Sequence, residues 1–326
     1  MTHSRRSILA TGLALPGLAL PSLARAQAGF PDRPLRLICP YSAGGSADAT
    51  ARMLAEPMGA ILGQPVIVEN RPGGGATLGA GVVAHAAPDG YTMLYGTPAP
   101  QIINPHLMRS LPYDPVKDFA PISGVKRAPN LLVVHPGLPV TDLASLIALA
   151  KARPGVLTFA SSGIGSSSHL AGEMLKHMAG IDILHVPYRG TSAALTDLLS
   201  GTVSMALDTL SILLPQARAG NLRAIGVTTP ERSALAPDLP ALAESLPGFD
   251  AAPFNYLATT AGTPPAVIAR LNAAAVAVLS NPAFMARMEA QGEVAMPSTP
   301  EELDATIRAE SARWKQVIDA AGIHIE

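Results

Sequence analysis

Leu35-Arg36-Leu37-Ile38-Cys39-Pro40-Tyr41-Ser42-Ala43-Gly44-Gly45-Ser46-Ala47-Asp48 is the stretch whose reading decides the fold. Its first five residues are mostly apolar and bounded by Pro34 and Pro40, the pattern of a short strand. Residues 47–62 read as a helix, with Ser46 as N-cap and Asp48 in the first turn. Between them, Gly44 and Gly45 allow positive φ and let a guest come close to the backbone. A strand that ends in a glycine loop and opens a helix presents free N–H groups at the positive end of a helix dipole, which suits an anion. The same pattern also serves as a plain tight connection. It is neither G-x-G-x-x-G nor G-x-x-x-x-G-K-[ST], so a nucleotide is not favoured.

Strand and helix alternate on either side of this stretch. Residues 65–70 read as a second strand, running into Arg71-Pro72-Gly73-Gly74-Gly75 and a small-residue helix at 77–86. Residues 91–95 read as a third strand, before Gly96-Thr97-Pro98. A second series begins near Leu131, with strands at 131–135, 156–160, 183–186, 202–207 and 222–228 and helices at 140–152, 169–179 and 192–200. Residues 253–259 read as a strand crossing back to the first series, and helices at 265–279, 282–291 and 300–321 end the chain. Such alternation means α/β layers with parallel strands. Two series and a returning strand mean two lobes, at least two crossovers, and a hinged cleft as the natural ligand site.

The 326 residues are 48% hydrophobic and 14% charged, enough for about two domains and a sizeable core. Mean hydropathy is +0.29, yet the body of the chain has no uncharged apolar run of the ~20 residues that span a bilayer. The N-terminus reads as an export signal: Arg5-Arg6 precede an apolar run from Ile8 to Leu23, and Ala24-Arg25-Ala26 fits an A-x-A cleavage site. Paired arginines suit the Tat route, although Sec signals carry them too. Cleavage after Ala26 leaves 300 residues and removes three arginines, shifting the formal charge from −1 to −4. A mildly acidic chain is poorly suited to nucleic acid or anionic membrane surfaces. Cys39 is the sole cysteine, so no intrachain disulfide forms, and it reads as a small buried hydrophobe.

Four loops fall at carboxyl ends of predicted strands, the edge where α/β sheets bind ligands: 41–46, 96–98, 161–168 and 187–190. The loop at 161–168 carries five serines and two glycines and ends at a helix start, so it offers hydroxyls and amides without charge. It reads as a cradle or as a flexible solvent loop. His169 and Glu173 share a helical face, but the remaining ligands of a metal site are absent. Ser166 near His169 raises a serine hydrolase as an alternative, yet there is no G-x-S-x-G elbow and no third acid. Arg189 reads as meeting a carboxylate or bracing its lobe, with Tyr188 nearer the ligand.

Pro40-Tyr41-Ser42-Ala43-Gly44-Gly45-Ser46-Ala47-Asp48 resembles the P-[FY]-x-x-G-G-x-x-D segment of the Bug, or TctC-type, extracytoplasmic solute receptors. The resemblance continues in order through Val68-Glu69-Asn70-Arg71-Pro72-Gly73, Pro88-Asp89-Gly90-Tyr91-Thr92, the run from Gly163 to Glu173, Val186-Pro187-Tyr188-Arg189-Gly190, Ala219-Gly220-Asn221-Leu222-Arg223-Ala224 and Gly262-Thr263-Pro264. It implies a type II periplasmic binding protein, an α/β fold of two Rossmann-like lobes with a ligand cleft between them. The lobes would be 27–130 plus 253–326, and 131–252, following a signal peptide at 1–26. It also implies a non-enzymatic periplasmic receptor with no cofactor and no metal. Such a receptor holds a di- or tricarboxylate, an acidic amino acid or an aromatic acid through amides, hydroxyls and waters. It would deliver that anion to membrane subunits of a tripartite tricarboxylate transporter, without inserting into the membrane itself. An exported sensor needs the same closure and stays open as an alternative.

Carried over, Tyr41, Ala43, Gly44, Gly45, Ser46 and Asp48, with Thr97, would be first-lobe contacts or their supports. Ser161, Ser162, Gly165, Ser166, Ser168 and His169 would form or support the second-lobe cradle, and Tyr188 and Asp208 the pocket floor. Two departures stand out: Arg71-Pro72-Gly73-Gly74-Gly75-Ala76 replaces R-P-G-A-G-G, and Leu207 stands where an aromatic is common, which implies a roomier pocket.

Overall fold

The computed structural model describes residues 29–188 and 190–322. The predicted signal at 1–26 and Arg189 lie outside them. β1 (Leu35–Cys39), β2 (Val66–Asn70) and β3 (Thr92–Gly96) run parallel, with β1 in the middle. α1 (Ser46–Leu62) follows β1 and stops at Gly63, whose left-handed backbone closes the helix. α2 (Thr77–Ala84) links β2 to β3. After β3 come a π-helical turn (Ala99–Ile103), the short α3 (Asn104–Leu107) and β4 (Phe119–Arg127).

The chain then enters a second sheet. Its elements are β5 (Asn130–Val134), α4 (Leu143–Ala152), β6 (Thr158–Ser161), α5 (Ser167–Ala179), β7 (Leu184–Pro187), α6 (Thr191–Ser200), β8 (Met205–Thr209), α7 (Leu210–Arg218) and β9 (Arg223–Val227). The spatial order is β7-β6-β8-β5-β9; β6 is parallel to β7 and β8, and β5 antiparallel to β8 and β9. β10 (Phe254–Thr260) returns to the first sheet, inserting antiparallel between β3 and β4. α8 (Pro265–Leu279), α9 (Pro282–Glu289), β11 (Val294–Ala295) and α10 (Pro300–Ala321) follow, giving the first sheet the order β11-β4-β10-β3-β1-β2. α10 starts at a capping box between Thr299 and Glu302 with Pro300 in its first turn. Among the described residues no single helix is long and apolar enough to cross a membrane.

The two sheets share one buried core, running from Ile38 and Tyr256 through Trp314 of α10 to Phe159. Two crossing segments lie side by side between them: the Ala128 N–H donates to the Pro253 carbonyl at 3.0 Å. Asp250, just before the return, pairs with Arg127 (3.0 Å) and with Arg313 of α10 (3.3 Å). Cys39 is fully buried, and burial pushes its thiol pKa up, as suits a packed apolar residue.

Several elements depart from the sequence reading. β4 contains Pro121 and Gly124 and lacks alternation; it is a strand because β10 and β11 pair with it, with irregular register on the β10 side. α7, which the sequence reading did not place, contains Pro215, a residue that disfavours helix interiors, yet buried Leu210 and Leu213 hold the helix against the second sheet. The helix expected from 140 begins at Leu143, because Asp142 accepts the Ser145 N–H at 2.8 Å and caps it. Ser46 is not the N-cap of α1: Gly45 holds that position with extended backbone and no side-chain cap.

Gly172 in α5 lies flat on Phe159 of β6, where an added Cβ would stand 2.1 Å from the ring. Gly172→Ala therefore lowers stability by about 1–3 kcal/mol in chemical denaturation, and an unchanged midpoint would contradict this packing.

Candidate functional site

The loops after β1, β3 and β6 open into one hollow beside the returning segment. Two adjoining cavities, of about 700 and about 510 Å³, share Tyr41, Thr97, Ser167, Pro253 and Asn255. The larger takes its other walls from the serine loop on one side and from Gly74, Asn104 and Met108 on the other. The smaller is walled by Gly45 and Ser46 at the start of α1 and by residues 209–212 at the start of α7.

On the first-sheet side, the Tyr41 hydroxyl pairs with Thr97 Oγ1 at 2.7 Å; burial raises its pKa and the Thr97 bond opposes that. Gly44 takes φ +83°, which turns its N–H onto Asp48 Oδ2 at 2.9 Å. Arg52 meets the same carboxylate at 3.0 Å and the Asn70 amide donates to it at 2.9 Å. The Arg52 guanidinium, then the Gly44 N–H, hold the Asp48 carboxyl down to about 2. Asn70 also donates to the Tyr41 carbonyl at 3.0 Å. Asp48 thus locks the double-glycine loop from behind. Gly45 supplies no side-chain cap to the start of α1.

On the second-sheet side, Ser166 caps α5: its Oγ accepts the His169 N–H (3.2 Å) and donates to the Gly163 carbonyl (2.6 Å). Ser168 Oγ accepts the Ser162 N–H at 2.9 Å and meets Ser162 Oγ at 2.8 Å. Ser161 Oγ lies 2.6 Å from His185 Nε2. His169 Nδ1 accepts the Gly165 N–H at 3.1 Å, so its proton sits on Nε2, 3.9 Å from Glu173. The His169 ring stacks on His185 at 3.9 Å, and His185 on Phe159 at 4.9 Å. The serine loop rests on this stack.

Of the residues singled out in the sequence, Tyr41, Gly45, Ser46, Thr97, Ser162, Gly165 and Ser166 line the hollow. Asp48, Ser161, Ser168 and His169 stand behind that lining as braces, and Ala43 and Gly44, the latter held by Asp48, are exposed loop residues outside it. Tyr188 does not line either cavity; its hydroxyl donates to Asp197 at 2.6 Å, towards α6. Asp208 is buried behind the wall, where Oδ1 accepts Thr191 Oγ1 (2.8 Å) and the Thr209 N–H (2.7 Å) at the start of α7. Ser166 and the His169 ring make no nucleophile–base pair, since His169 Nδ1 is taken by Gly165. Among the described residues no three of His, Cys, Asp and Glu cluster as metal ligands.

Sequence reading missed the start of α7, Asn130, Asn255, Lys126 and Glu293, all in the wall of the smaller cavity. Asn255 was visible as a polar residue within the apolar strand read at 253–259; Lys126 lay in β4, which the sequence reading did not place, and α7 was hidden by its proline.

Burial and then the charges of His185 and Lys176 bring the His169 pKa down to about 4; burial and Lys176 do the same for His185. A free imidazole takes a proton near 6.5, so between these values the unfolded chain binds more protons than the folded one. The contribution is whole above about pH 6.5 and is lost as pH falls towards about 4. The melting temperature therefore drops over this window, and drops less in His185→Asn; parallel curves for the two proteins would refute the assignment.

The profile of the family described as "Tripartite tricarboxylate transporter family receptor" matches residues 50–323. Protein BugT of Bordetella pertussis is 36% identical over 98% of this chain and 98% of its own length. The structure of Rpa4515 from R. palustris with adipate is 35% identical, covers 90% of this chain and 99% of that one, and superposes with a TM-score of 0.77. MatC from Rhodopseudomonas palustris with bound malate is 33% identical, covers 89% of this chain and 100% of that one, with a TM-score of 0.73. The chain belongs to the family of receptors of the tripartite tricarboxylate transporters.

Proposed function

We propose that this chain is an exported receptor that takes a small organic carboxylate into the hollow and delivers it to membrane subunits of a tripartite tricarboxylate-type transporter. It works in the periplasm after cleavage near Ala26, and its lobes, 27–130 plus 253–326 and 131–252, close about the crossing segments. The role is binding without turnover.

One observation carries this reading. The starts of α1, α5 and α7, helices of 17, 13 and 9 residues, converge with the serine hydroxyls on one hollow. Among the described residues its charged lining side chains are Lys126 and Glu293, and they pair with each other. Each helix start carries about half a positive charge and favours an anion by about 0.3–2 kcal/mol. Each hydrogen bond to a carboxylate adds about 1.5–3 kcal/mol. A handful of such contacts reaches the ~8 kcal/mol of micromolar binding once the entropic cost of association is met. The adipate and malate held by the two similar structures support the ligand class.

The test is calorimetry on the chain starting at Gln27 with adipate, malate, citrate, glutamate and benzoate. At least one binds saturably, at about micromolar affinity. Tyr41→Phe, which removes the hydroxyl between Thr97 and the hollow, weakens that binding about 5–10-fold. Absence of binding across the whole panel would overturn the ligand class.

A further inference from the structure

An ion pair sits in the wall of the smaller cavity. Lys126 of β4 and Glu293, just before β11, are in contact there, with side chains only 3% and 6% exposed. The Lys126 ammonium also bonds Ser46 Oγ (3.1 Å) and Thr50 Oγ1 (3.0 Å), so its three N–H groups are all engaged. Ser46 Oγ lies 3.1 Å from Glu293 Oε1, and Thr50 Oγ1 lies 3.0 Å from Oε2. The network joins β4, the first turn of α1 and the segment after α9.

Its place matters more than its strength. Replacing a buried ion pair by apolar residues of similar size is often neutral or favourable for stability, so stability alone is a weak reason for one here. Ser46 is the first residue of α1, so Glu293 places a carboxylate at the positive end of the helix whose amides would receive an anion. Alone, it would cancel that end and repel the guest. Among the described residues, Lys126 is the one cation in contact with it. The neighbouring Arg127 points away to Asp250 at 3.0 Å, and the buried Tyr95 hydroxyl from β3 also faces Glu293. Burial lowers the Lys126 pKa, and the Glu293 charge beside it opposes that shift.

We infer that Lys126 is a positioning and specificity-determining residue: by cancelling Glu293 it leaves the start of α1 open to a carboxylate, and it sets the preference of the cleft for acids over amines. This rests on the carboxylate-receptor reading above. Lys126 acts through Glu293 and not by touching the ligand.

Three variants test it against the same panel of acids, with melting curves to show that each is folded: Lys126→Met, Glu293→Gln and the double variant. Lys126→Met leaves an unpaired carboxylate at the seat and weakens binding about 10-fold or more. Glu293→Gln removes the repelling charge and tightens binding, about 3-fold or more. The double variant returns to within about 3-fold of the parent, a rescue that a merely structural lysine would not allow. Equal weakness of Lys126→Met and the double variant would overturn the inference, as would parental affinity in Lys126→Met. If Lys126→Met does not fold, weakened binding in Glu293→Gln overturns it alone. A parent chain that binds no acid on the panel brings down the receptor reading, and this inference with it.

Discussion

The main-chain bond from Ala128 to Pro253 sets the geometry on which everything else depends. It holds the outgoing and returning segments together, so the two sheets meet along one narrow seam with their loop-bearing edges facing. Beside it, Leu210 donates to the Pro129 carbonyl at 3.3 Å, which brings the start of α7 to the same seam. Arg127, Asp250 and Arg313 add charged contacts around it. A continuous core through α10 and α5 also joins the two sheets.

A hollow that holds an anion with neutral groups needs its donors fixed beforehand. Loose donors would spend the binding energy on their own ordering. Each loop here is braced from behind: buried Asp48, with half-buried Asn70 and exposed Arg52 on its carboxylate, holds the double-glycine loop, and the His169–His185–Phe159 stack holds the serine loop. Asp208 does the same for the start of α7. Asp48, His169 and Asp208 therefore stand behind the wall, while serines, Thr97, glycines, Tyr41, Asn255 and the Lys126–Glu293 pair are among the residues that form it. In the proposed role a guest would meet helix ends and hydroxyls, which cost little to desolvate compared with a buried free cation.

Most strands and helices were legible in the chain because their patterns are local. β1 is a mostly apolar five-residue run between prolines, and α10 is marked by Thr299, Pro300 and Glu302 at its start. β4 and α7 were not legible, since Pro121, Gly124 and Pro215 argue against them locally and only neighbours in space overrule that. For the site, glycine and serine runs pointed to loops that line the hollow. They did not separate lining from bracing, which depends on where each side chain turns. Tyr188 turns to Asp197 and Ser161 to His185, directions that no spacing encodes.

By itself the sequence determined the alternating α/β series, the return of the strand near residue 254 and the loops that end at helix starts, because glycine, proline and apolar period act within a few residues. Only the tertiary structure decided that three helix starts face one hollow and that Lys126 meets Glu293 at the first of them. Those two residues are separated by 167 positions, and their contact exists because β4 and β11 lie side by side, a pairing set by packing of the whole sheet.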